Sequence, residues 1–269
     1  MLQLSSLQNS RVKNLGKLAK RRARDQQRVT LVEGIREISH ALDAGIQPIE
    51  IYICPERLDG EAQALVKRMV AETPAPTYEV TAAVFEKIAY RGESGGLLLV
   101  IPYVDKPLTA LPLSPEPFLV VIEGVEKPGN LGAILRTADA AGVDAVIVCA
   151  GATDLHNPNV VRASLGALFT LPVAEVTTTT LIAWLQTNGI QTVAADPAGM
   201  HYHTTVDFAG PVAIVMGSEA YGLSETWLAA ADQRVKIPMR GAVDSLNLSA
   251  ATAIMLYEVV RQRLGVSSV

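Results

Sequence analysis

From Val29 onward, short apolar runs alternate with stretches in which apolar residues recur at helical spacing. In the first part of the chain this pattern predicts a small α/β layer of about 100 residues, a usual domain size. Its predicted elements are, in order, strand 29–33, helix 35–44, strand 49–54, helix 61–72, strand 77–80, helix 82–89 and strand 96–103.

The alternation stops between residues 105 and 117, where the sequence DKPLTALPLSPEP contains four prolines. Proline removes a backbone donor that the interior of a strand or helix would use, so this segment is predicted to be a linker. The sequence therefore predicts two domains, 1–104 and 118–269, joined by linker 105–117.

Beyond the linker, six apolar runs rich in Val and Ile are predicted to be strands, with helical stretches between them. They span residues 118–123, 145–149, 173–176, 191–195, 212–216 and 234–238. Such runs are typical of a mostly parallel sheet, whose ligand site usually lies beyond the carboxyl ends of the strands. We therefore expect the chemistry in the loops that follow these strands.

The composition excludes several classes of protein. Hydrophobic residues make up 49% of the chain and charged residues 19%, which excludes an intrinsically disordered protein. Cys54 and Cys149 have no CxxC or Cys/His partner, so neither a disulfide framework nor a structural zinc site is predicted. The sequence shows no signal peptide and no apolar window of the roughly 20 residues that a membrane helix needs. We therefore expect a cytoplasmic protein without a membrane partner.

The net charge of −4 conceals a strong asymmetry. Residues 1–30 carry eight basic side chains and one acid, Asp25, which leaves a net charge of −11 for the remainder of the chain. Residues 10–27 contain few helix breakers, so these charges can ring a helical arm that contacts RNA phosphates; the alternative is a solvated terminal helix. The predicted RNA-binding side chains are Arg11, Lys13, Lys17, Lys20, Arg21, Arg22, Arg24 and Arg28.

The first loop after a predicted strand, EGVEKPGNLGAILRTADAAG, leads into a helix. Its glycines do not form a GxGxxG fingerprint, and Asn130 and Leu131 stand where a P-loop needs Lys and Ser or Thr. Both a dehydrogenase and a P-loop ATPase are therefore disfavoured. Asn130 and Arg136 remain as candidate functional groups, although a helix cap and a surface ion-pair partner are the alternative interpretations.

Two later loops carry further candidates. In MGSEAYGL, Gly217 permits close approach of a ligand to the backbone, and Glu219 places a carboxylate at a strand end. In IPMRGAVDSLNLSAATAIMLYEVVRQR, Ser245 and Asn247 open a long amphipathic helix whose free backbone amides suit a polar ligand. Helix capping alone explains Ser245 or Asn247 equally well.

Together, the three segments resemble the signature motifs of the SpoU family of RNA ribose 2′-O-methyltransferases, in the SPOUT superfamily, between Phe118 and Arg263. The first half is similar to the L30e-like substrate-binding domain that precedes the catalytic domain in many rRNA-directed members. The resemblance implies an α/β fold in which the C-terminal parallel-sheet domain contains a deep trefoil knot. It also implies S-adenosyl-L-methionine as cofactor, a homodimer formed through the knotted domain, and no metal.

The resemblance also assigns roles to individual residues. The matched cofactor-binding positions are Ala195, Gly199, Gly217, Ile237 and Leu246, and the matched catalytic positions are Arg136, Asn130, Glu219, Ser245 and Asn247. The family's arginine has been proposed as a general base, but a guanidinium in a protein keeps its positive charge and has no free lone pair to accept a proton. We therefore expect Arg136 to grip the target phosphate and to stabilise the emerging alkoxide.

The function implied is a methyltransferase acting on RNA, and the added N-terminal domain favours 23S-type rRNA over tRNA. A tRNA 2′-O-methyltransferase and a noncatalytic RNA-binding ribosome-assembly protein are the alternatives. A further alternative is a nucleotide-dependent oxidoreductase on a doubly wound sheet. The absence of a GxGxxG fingerprint disfavours it. Retention of Arg136, Glu219, Ser245 and Asn247 argues against the noncatalytic protein.

Overall fold

A computed structural model describes residues 2–90, 95–151 and 153–265. It divides into two compact units. Unit 1 comprises Met1–Val104 and His156–Thr170, and unit 2 comprises Asp105–Leu155 and Leu171–Val269. The stretch 156–170, which the sequence pattern placed in the second domain, therefore groups with the first unit.

The described chain contains both strands and helices, which alternate over most of its length. The strands are β1 (Leu2–Leu4), β2 (Val29–Glu33), β3 (Glu50–Ile53), β4 (Thr77–Val80), β5 (Leu97–Pro102), β6 (Phe118–Glu123), β7 (Ala145–Cys149), β8 (Val173–Val176), β9 (Gln191–Ala195), β10 (His201–Tyr202), β11 (Val212–Met216) and β12 (Gln233–Lys236). The helices are α1 (Ser10–Lys17), α2 (Arg21–Gln27), α3 (Ile35–Asp43), α4 (Gly60–Glu72), α5 (Ala82–Ile88), α6 (Pro128–Ala140), α7 (Pro158–Ala163), α8 (Ala167–Thr170), α9 (Thr178–Thr187), α10 (Glu225–Ala230) and α11 (Leu248–Arg263). None of the helices in this part of the chain is long and apolar enough to cross a membrane.

Within the described residues, unit 1 is built on a five-stranded sheet in the order β1-β4-β3-β5-β2. Strands β1 and β3 pair with β4 in parallel, whereas β5 pairs antiparallel with β3 and β2. Helix α1 packs beside α5, and its Val12 and Leu15 join Tyr52 and Phe85 in one apolar core. The predicted α/β layer is confirmed, with α1 as part of it.

The basic N-terminal segment forms two helices where the sequence predicts one. Leu18 is fully buried between α1 and α2. Arg24 is only 1% exposed, and its Nη1 donates to the carbonyl oxygens of Leu18 at 2.9 Å and Ala19 at 3.0 Å. These carbonyls thus accept hydrogen bonds from a charged donor at the corner between the helices. Arg24 departs from the sequence-based expectation, because its side chain lies inside unit 1 and stabilises this corner.

Residues 156–170 close unit 1 through several specific contacts. Thr30 Oγ1 donates to the carbonyl oxygen of His156 at 2.5 Å, and the Val104 N–H donates to His156 Nε2 at 3.0 Å. The His156 ring also stacks on Tyr103, with 3.6 Å between the ring centroids. Gly166 has φ +92° and lies so close to His40 that a Cβ there would collide with it.

Unit 2 has seven strands among the described residues, in the order β10-β12-β9-β11-β6-β7-β8, and every pair in this sheet is parallel. The predicted parallel sheet is confirmed. Strands β6, β7 and β11 are buried along their whole length, which explains their uninterrupted apolar sequences. Met216, at the end of β11, lies beside Ile122 and Ala195, so the loops that follow these strands leave from one edge of the sheet. The trefoil knot stays a prediction of the family resemblance.

Candidate active site

Two tight turns at the carboxyl edge of the parallel sheet bring polar groups together. After β6, Gly124 turns the chain with φ +70°, and α6 begins at Pro128, a position that suits proline because it needs no backbone donor. After β11, Ser218 and Gly222 close a turn through two backbone hydrogen bonds of 3.0 Å. A Cβ at position 124 would lie 3.2 Å from the Cβ of Ser218, so the two turns are adjacent.

Side chains from three segments of the chain meet at this edge. The Asn247 amide donates to Glu219 Oε1 at 2.8 Å and to Asn130 Oδ1 at 3.2 Å. Lys127 Nζ donates to the other carboxylate oxygen of Glu219 at 2.5 Å. Lys127 precedes α6 and Asn130 lies in its first turn, Glu219 lies in the β11–α10 loop, and Asn247 precedes α11. We call these four residues the carboxylate cluster.

The charge of Glu219 is set by this cluster. Its pKa lies below the ordinary value, chiefly because Lys127 donates to it, with further donation from Asn130 and from the Leu248 N–H. The same ion pair raises the pKa of Lys127 above its ordinary value. Glu219 is therefore an ionised hydrogen-bond acceptor that holds its neighbours in place, rather than an acid with a proton to give.

Asn247 has two structural roles, one for each end of its amide. As the N-cap of α11, its Oδ1 accepts from the backbone N–H of Ser249 at 3.1 Å and from the Ser249 hydroxyl at 2.6 Å. Because the oxygen is committed to Ser249, the amide nitrogen faces Glu219. The capping interpretation of Asn247 is confirmed, and the same side chain also belongs to the cluster.

Arg136 and Ser245 lie apart from the hydrogen bonds of the carboxylate cluster. Arg136 is exposed on α6, six residues beyond Asn130, which corresponds to about 9 Å along the helix axis. Ser245 is exposed in the segment before α11, and its hydroxyl donates to Asp244 at 3.2 Å. The structure thus joins three of the five predicted catalytic side chains, Asn130, Glu219 and Asn247.

Two predicted cofactor-binding glycines are required by the backbone itself. A Cβ on Gly199 would lie 2.8 Å from the carbonyl carbon of Val235, because the β9 loop crosses β12 closely. A Cβ on Gly217 would collide with the main chain of Gly222 and Leu223. The sequence alone suggests that Gly217 admits a ligand, but the chain's own turn already excludes a side chain there.

At the other three predicted cofactor-binding positions, the main chain at the carboxyl edge of the sheet is accessible to a ligand. Ala195 and Ile237, which end or follow neighbouring strands, are half-buried, and Leu246 is 39% exposed. Residues 238–247 form no regular structure and are mostly exposed. Backbone donors and acceptors beside an apolar side chain suit an uncharged, partly aromatic group such as an adenosine.

Comparison with known families decides the class of protein. The profile of the SpoU rRNA Methylase family matches residues 117–257, which include all four residues of the carboxylate cluster. The chain belongs to the SpoU rRNA methylase family. In this SpoU methylase, a second profile, the MRM3-like substrate binding domain, matches residues 9–98.

Relatives of this SpoU methylase are similar over most of their length. The 23S rRNA (uridine(2479)-2′-O)-methyltransferase of Streptomyces viridochromogenes is 34% identical over 245 residues, covering 87% of this chain and 83% of the relative. The 23S rRNA (guanosine-2′-O-)-methyltransferase RlmB of Yersinia pestis is 34% identical over 244 residues, covering 87% and 97%. Among solved structures, the AdoMet-bound rRNA methyltransferase from Sinorhizobium meliloti has a TM-score of 0.88 and 31% identity, covering 99% of this chain and 98% of that one.

This SpoU methylase has a second structural carboxylate, which sequence reasoning missed. Glu123 is only 6% exposed and accepts from the Ser224 N–H at 2.8 Å, the Ser224 hydroxyl at 3.0 Å and the Thr178 hydroxyl at 2.9 Å. It therefore ties the start of α10 and the start of α9 to the end of β6. A charged residue closing an otherwise apolar strand was the available signal.

Sequence reasoning also missed Lys127. It precedes α6 and pairs with Glu219, 92 residues further along the chain. Its side chain is 68% exposed, so the pair is open to solvent and to any ligand that approaches the cluster. Nothing local distinguishes Lys127 from an ordinary surface lysine.

The basic helices of this SpoU methylase present most of the predicted RNA-binding side chains to solvent. The exposed ones are Arg11, Lys13, Lys17, Lys20, Arg22 and Arg28. Arg21 is half-buried and pairs with Asp25 at 3.4 Å, while Arg11 pairs with Glu50 and lies over the Tyr78 ring. Lys13 and Lys17, four residues apart on α1, and Lys20 just beyond it are exposed, and we call these three lysines the basic surface.

Proposed function

We propose that this SpoU methylase transfers a methyl group from S-adenosylmethionine to a ribose 2′-hydroxyl of 23S-type rRNA. The carboxylate cluster carries the proposal, because it gathers Asn130, Glu219 and Asn247 at the strand ends where the cofactor loops also emerge. The names of the two relatives support rRNA as the substrate. The basic surface on α1 supports a polyanionic partner.

The loops at the carboxyl edge fit the cofactor. Bound S-adenosylmethionine supplies an electrophilic methyl group, and no metal is required for that chemistry. Ala195, Gly199 and Gly217 would line it with backbone, while Ile237 and Leu246 would cover its apolar part. The required glycines leave positions 199 and 217 without side chains, so main-chain groups there are available for the cofactor's polar edges.

The chain's own residues must orient the ribose and help to remove the proton of its 2′-hydroxyl. Glu219, ionised and fixed by Lys127 and Asn247, can accept a hydrogen bond from the ribose and set its orientation. Arg136, exposed and protonated, can hold the target phosphate and stabilise the alkoxide as it forms. Ser245, on the exposed segment before α11, can donate to the same nucleotide.

We also propose a homodimer formed through unit 2. Helix α11 buries Leu248, Met255 and Val259 within the chain, yet Ile254 and Tyr257 remain 37% and 50% exposed. An exposed apolar side of a helix that opens with Asn247 would place the cluster near such an interface. Sedimentation velocity at several protein concentrations measures the oligomeric state. Cytoplasmic location stays a prediction from the sequence.

Two measurements test the proposed activity. Calorimetry without added metal should detect binding of S-adenosylmethionine but not of NAD; the reverse result would favour the oxidoreductase. Mapping of ribose methylation in total RNA from cells with and without the gene should reveal one missing mark in large-subunit rRNA. A missing mark in tRNA would support the tRNA alternative, and unchanged RNA together with RNA binding would support the noncatalytic one.

A further inference from the structure

Unit 1 contains a shallow pocket that the proposed methyl transfer does not use. It lies beside the end of β2, where α7 packs against that strand. Among the residues that the structure describes, it is lined by Leu31, Glu33, Tyr90, Pro158, Val161 and Arg162. One aromatic ring, one cation and one carboxylate therefore surround an apolar floor.

Tyr90 is exposed, yet two hydrogen bonds tie it to its neighbours. Its backbone N–H donates to Glu33 Oε1, and its hydroxyl accepts from Asn159 Nδ2 at 2.9 Å. The residue is nevertheless 43% exposed. An aromatic ring that is fixed at both ends and open to solvent loses little conformational entropy when a flat ligand stacks on it.

The charges beside the ring define the chemistry of that ligand. Arg162 is exposed in the last turn of α7 and can reach a phosphate. The floor formed by Leu31 and Val161 is apolar, so it suits the edge or face of a base better than a second phosphate. A paired and stacked base cannot present its face to Tyr90, which selects for a single-stranded or bulged nucleotide.

The pocket lies one strand length from the end of the basic N-terminal segment of the same unit. Arg28 ends the basic segment and directly precedes β2, whose last residue, Glu33, lines the pocket. Five residues of strand span about 17 Å, the reach of a few nucleotides. One RNA strand can therefore contact Lys20 or Arg28 with its phosphates and still place a base in the pocket.

We propose that this pocket holds one unstacked base of the RNA substrate, with the base on Tyr90 and its phosphate on Arg162. The proposal rests on the proposed function for its substrate class, RNA, and deepens it by assigning a place where that RNA is recognised. Tyr90 and Arg162 determine substrate affinity and choice, and they take no part in methyl transfer.

The test measures binding of a 23S rRNA transcript to the full-length protein at several salt concentrations. Tyr90→Ala should weaken binding about 5- to 150-fold, the range for loss of one base–aromatic stack, without changing the salt dependence. Tyr90→Trp should restore most of the affinity. Arg162→Gln should reduce the slope of log affinity against log salt by about 0.7 to 0.9.

Lys67→Gln is the matched control, because Lys67 is an exposed cation of unit 1 on α4 and does not line the pocket. Its affinity and salt slope should stay at wild-type values. Thermal unfolding of each variant separates loss of recognition from loss of fold, and the exposed position of Arg162 makes Arg162→Gln safe in this respect. Binding of S-adenosylmethionine should be equal in all variants.

Failure of this proposal is distinguishable from failure of the proposed function. If the wild type methylates the transcript and folded Tyr90→Ala and Arg162→Gln bind it like the wild type, the pocket proposal is overturned and the methyltransferase stands. If both variants lose affinity as described while the wild type leaves no 2′-O-methyl mark, the pocket stands and the proposed activity is overturned. A wild type that binds no RNA overturns both.

Discussion

Asn247 donates its side-chain amide to Glu219 at 2.8 Å while its oxygen caps α11 through Ser249. The two functions can be separated by substitution. Asn247→Asp keeps a capping oxygen and should leave stability near the wild-type value, but it removes the amide donors and adds a negative charge beside Glu219. We expect methyl transfer to fall about 10- to 100-fold, the equivalent of one hydrogen bond to a charged group.

Asn247→Ala provides the comparison. It removes the cap as well, so the free energy of unfolding should fall by about 1 kcal/mol in addition to the loss of rate. Urea unfolding and single-turnover methyl transfer measure the two effects. Equal rates for Asn247→Asp and the wild type would limit Asn247 to a capping role.

Lys127 should control the protonation of Glu219. The pKa of Glu219 is depressed mainly by Lys127, so the carboxylate stays ionised to a lower pH than an ordinary glutamate. Lys127→Gln should raise that pKa, and protonation would then set in at a higher pH as the solution is acidified. Any stability that the ion pair contributes is present above the unfolded-state pKa and is lost as the pH falls through the folded-state pKa.

Carbon-13 NMR of the Glu219 carboxyl group, followed through an acid titration, measures this shift directly. Lys127→Arg should keep the pKa depressed, because the charge remains within reach of the carboxylate. A titration of Glu219 that is identical in Lys127→Gln and the wild type would contradict the assigned cause.

Arg136 should act as a protonated donor. Arg136→Ala is expected to lower the methyl-transfer rate about 10²- to 10³-fold, the usual cost of one preorganised donor, whereas Arg136→Lys keeps the charge and should retain part of the activity. Binding of S-adenosylmethionine should survive both changes. The measurement is single-turnover transfer across pH; a titrating group in the wild type that disappears in both variants would instead support a general base.

Arg24 should contribute to the stability of the folded protein and not to RNA binding. Arg24→Met removes the donors to the carbonyls of Leu18 and Ala19 and should lower the free energy of unfolding by about 3 kcal/mol. Arg22→Met, at an exposed neighbouring position, should stay within about 0.5 kcal/mol of the wild type. Chemical unfolding measures the free energy of unfolding of both variants. A loss for Arg24→Met as small as that for Arg22→Met would show that Arg24 behaves like an ordinary surface residue.

The basic surface should set the salt dependence of RNA binding. Replacement of Lys13, Lys17 and Lys20 by Gln should reduce the slope of log affinity against log salt by about 2 to 3, since three fewer counterions are released. Point substitutions are preferable to deletion of the N-terminus, because Val12 and Leu15 belong to the core of unit 1. An unchanged slope would leave these lysines as solvated surface charges.

Elements that repeat a strong pattern were predictable from the sequence, and those fixed by distant contacts were not. Strands such as Phe118–Glu123 and Val212–Met216 are continuous apolar runs, and their limits were predicted correctly because both faces are buried. Strands β1 and β10, with three and two residues, are too short to show a period. The interruption of the first helix depends on Arg24 and the carbonyls that it binds, which no local pattern reveals.

The same division applies to the candidate site. Asn130, Glu219 and Asn247 were predicted from motifs that follow strands, and the structure joins them by hydrogen bonds. Lys127 was missed because its partner is 92 residues away and the residue itself resembles any exposed lysine. The sequence indicates that position 217 must lack a side chain, but the reason, close contact with the main chain of Gly222 and Leu223, is visible only in the structure.

Because residues 156–170 return to close unit 1, the body that folds together cannot be cut from the gene as one continuous piece. A fragment that ends at Val104 would leave the Thr30 hydroxyl without the His156 carbonyl and would lack α7 beside β2. Grafting the N-terminal half of a relative onto this chain would likewise set a foreign β2 against the native α7. A new RNA specificity would therefore have to be transplanted as two separate segments that are exchanged together.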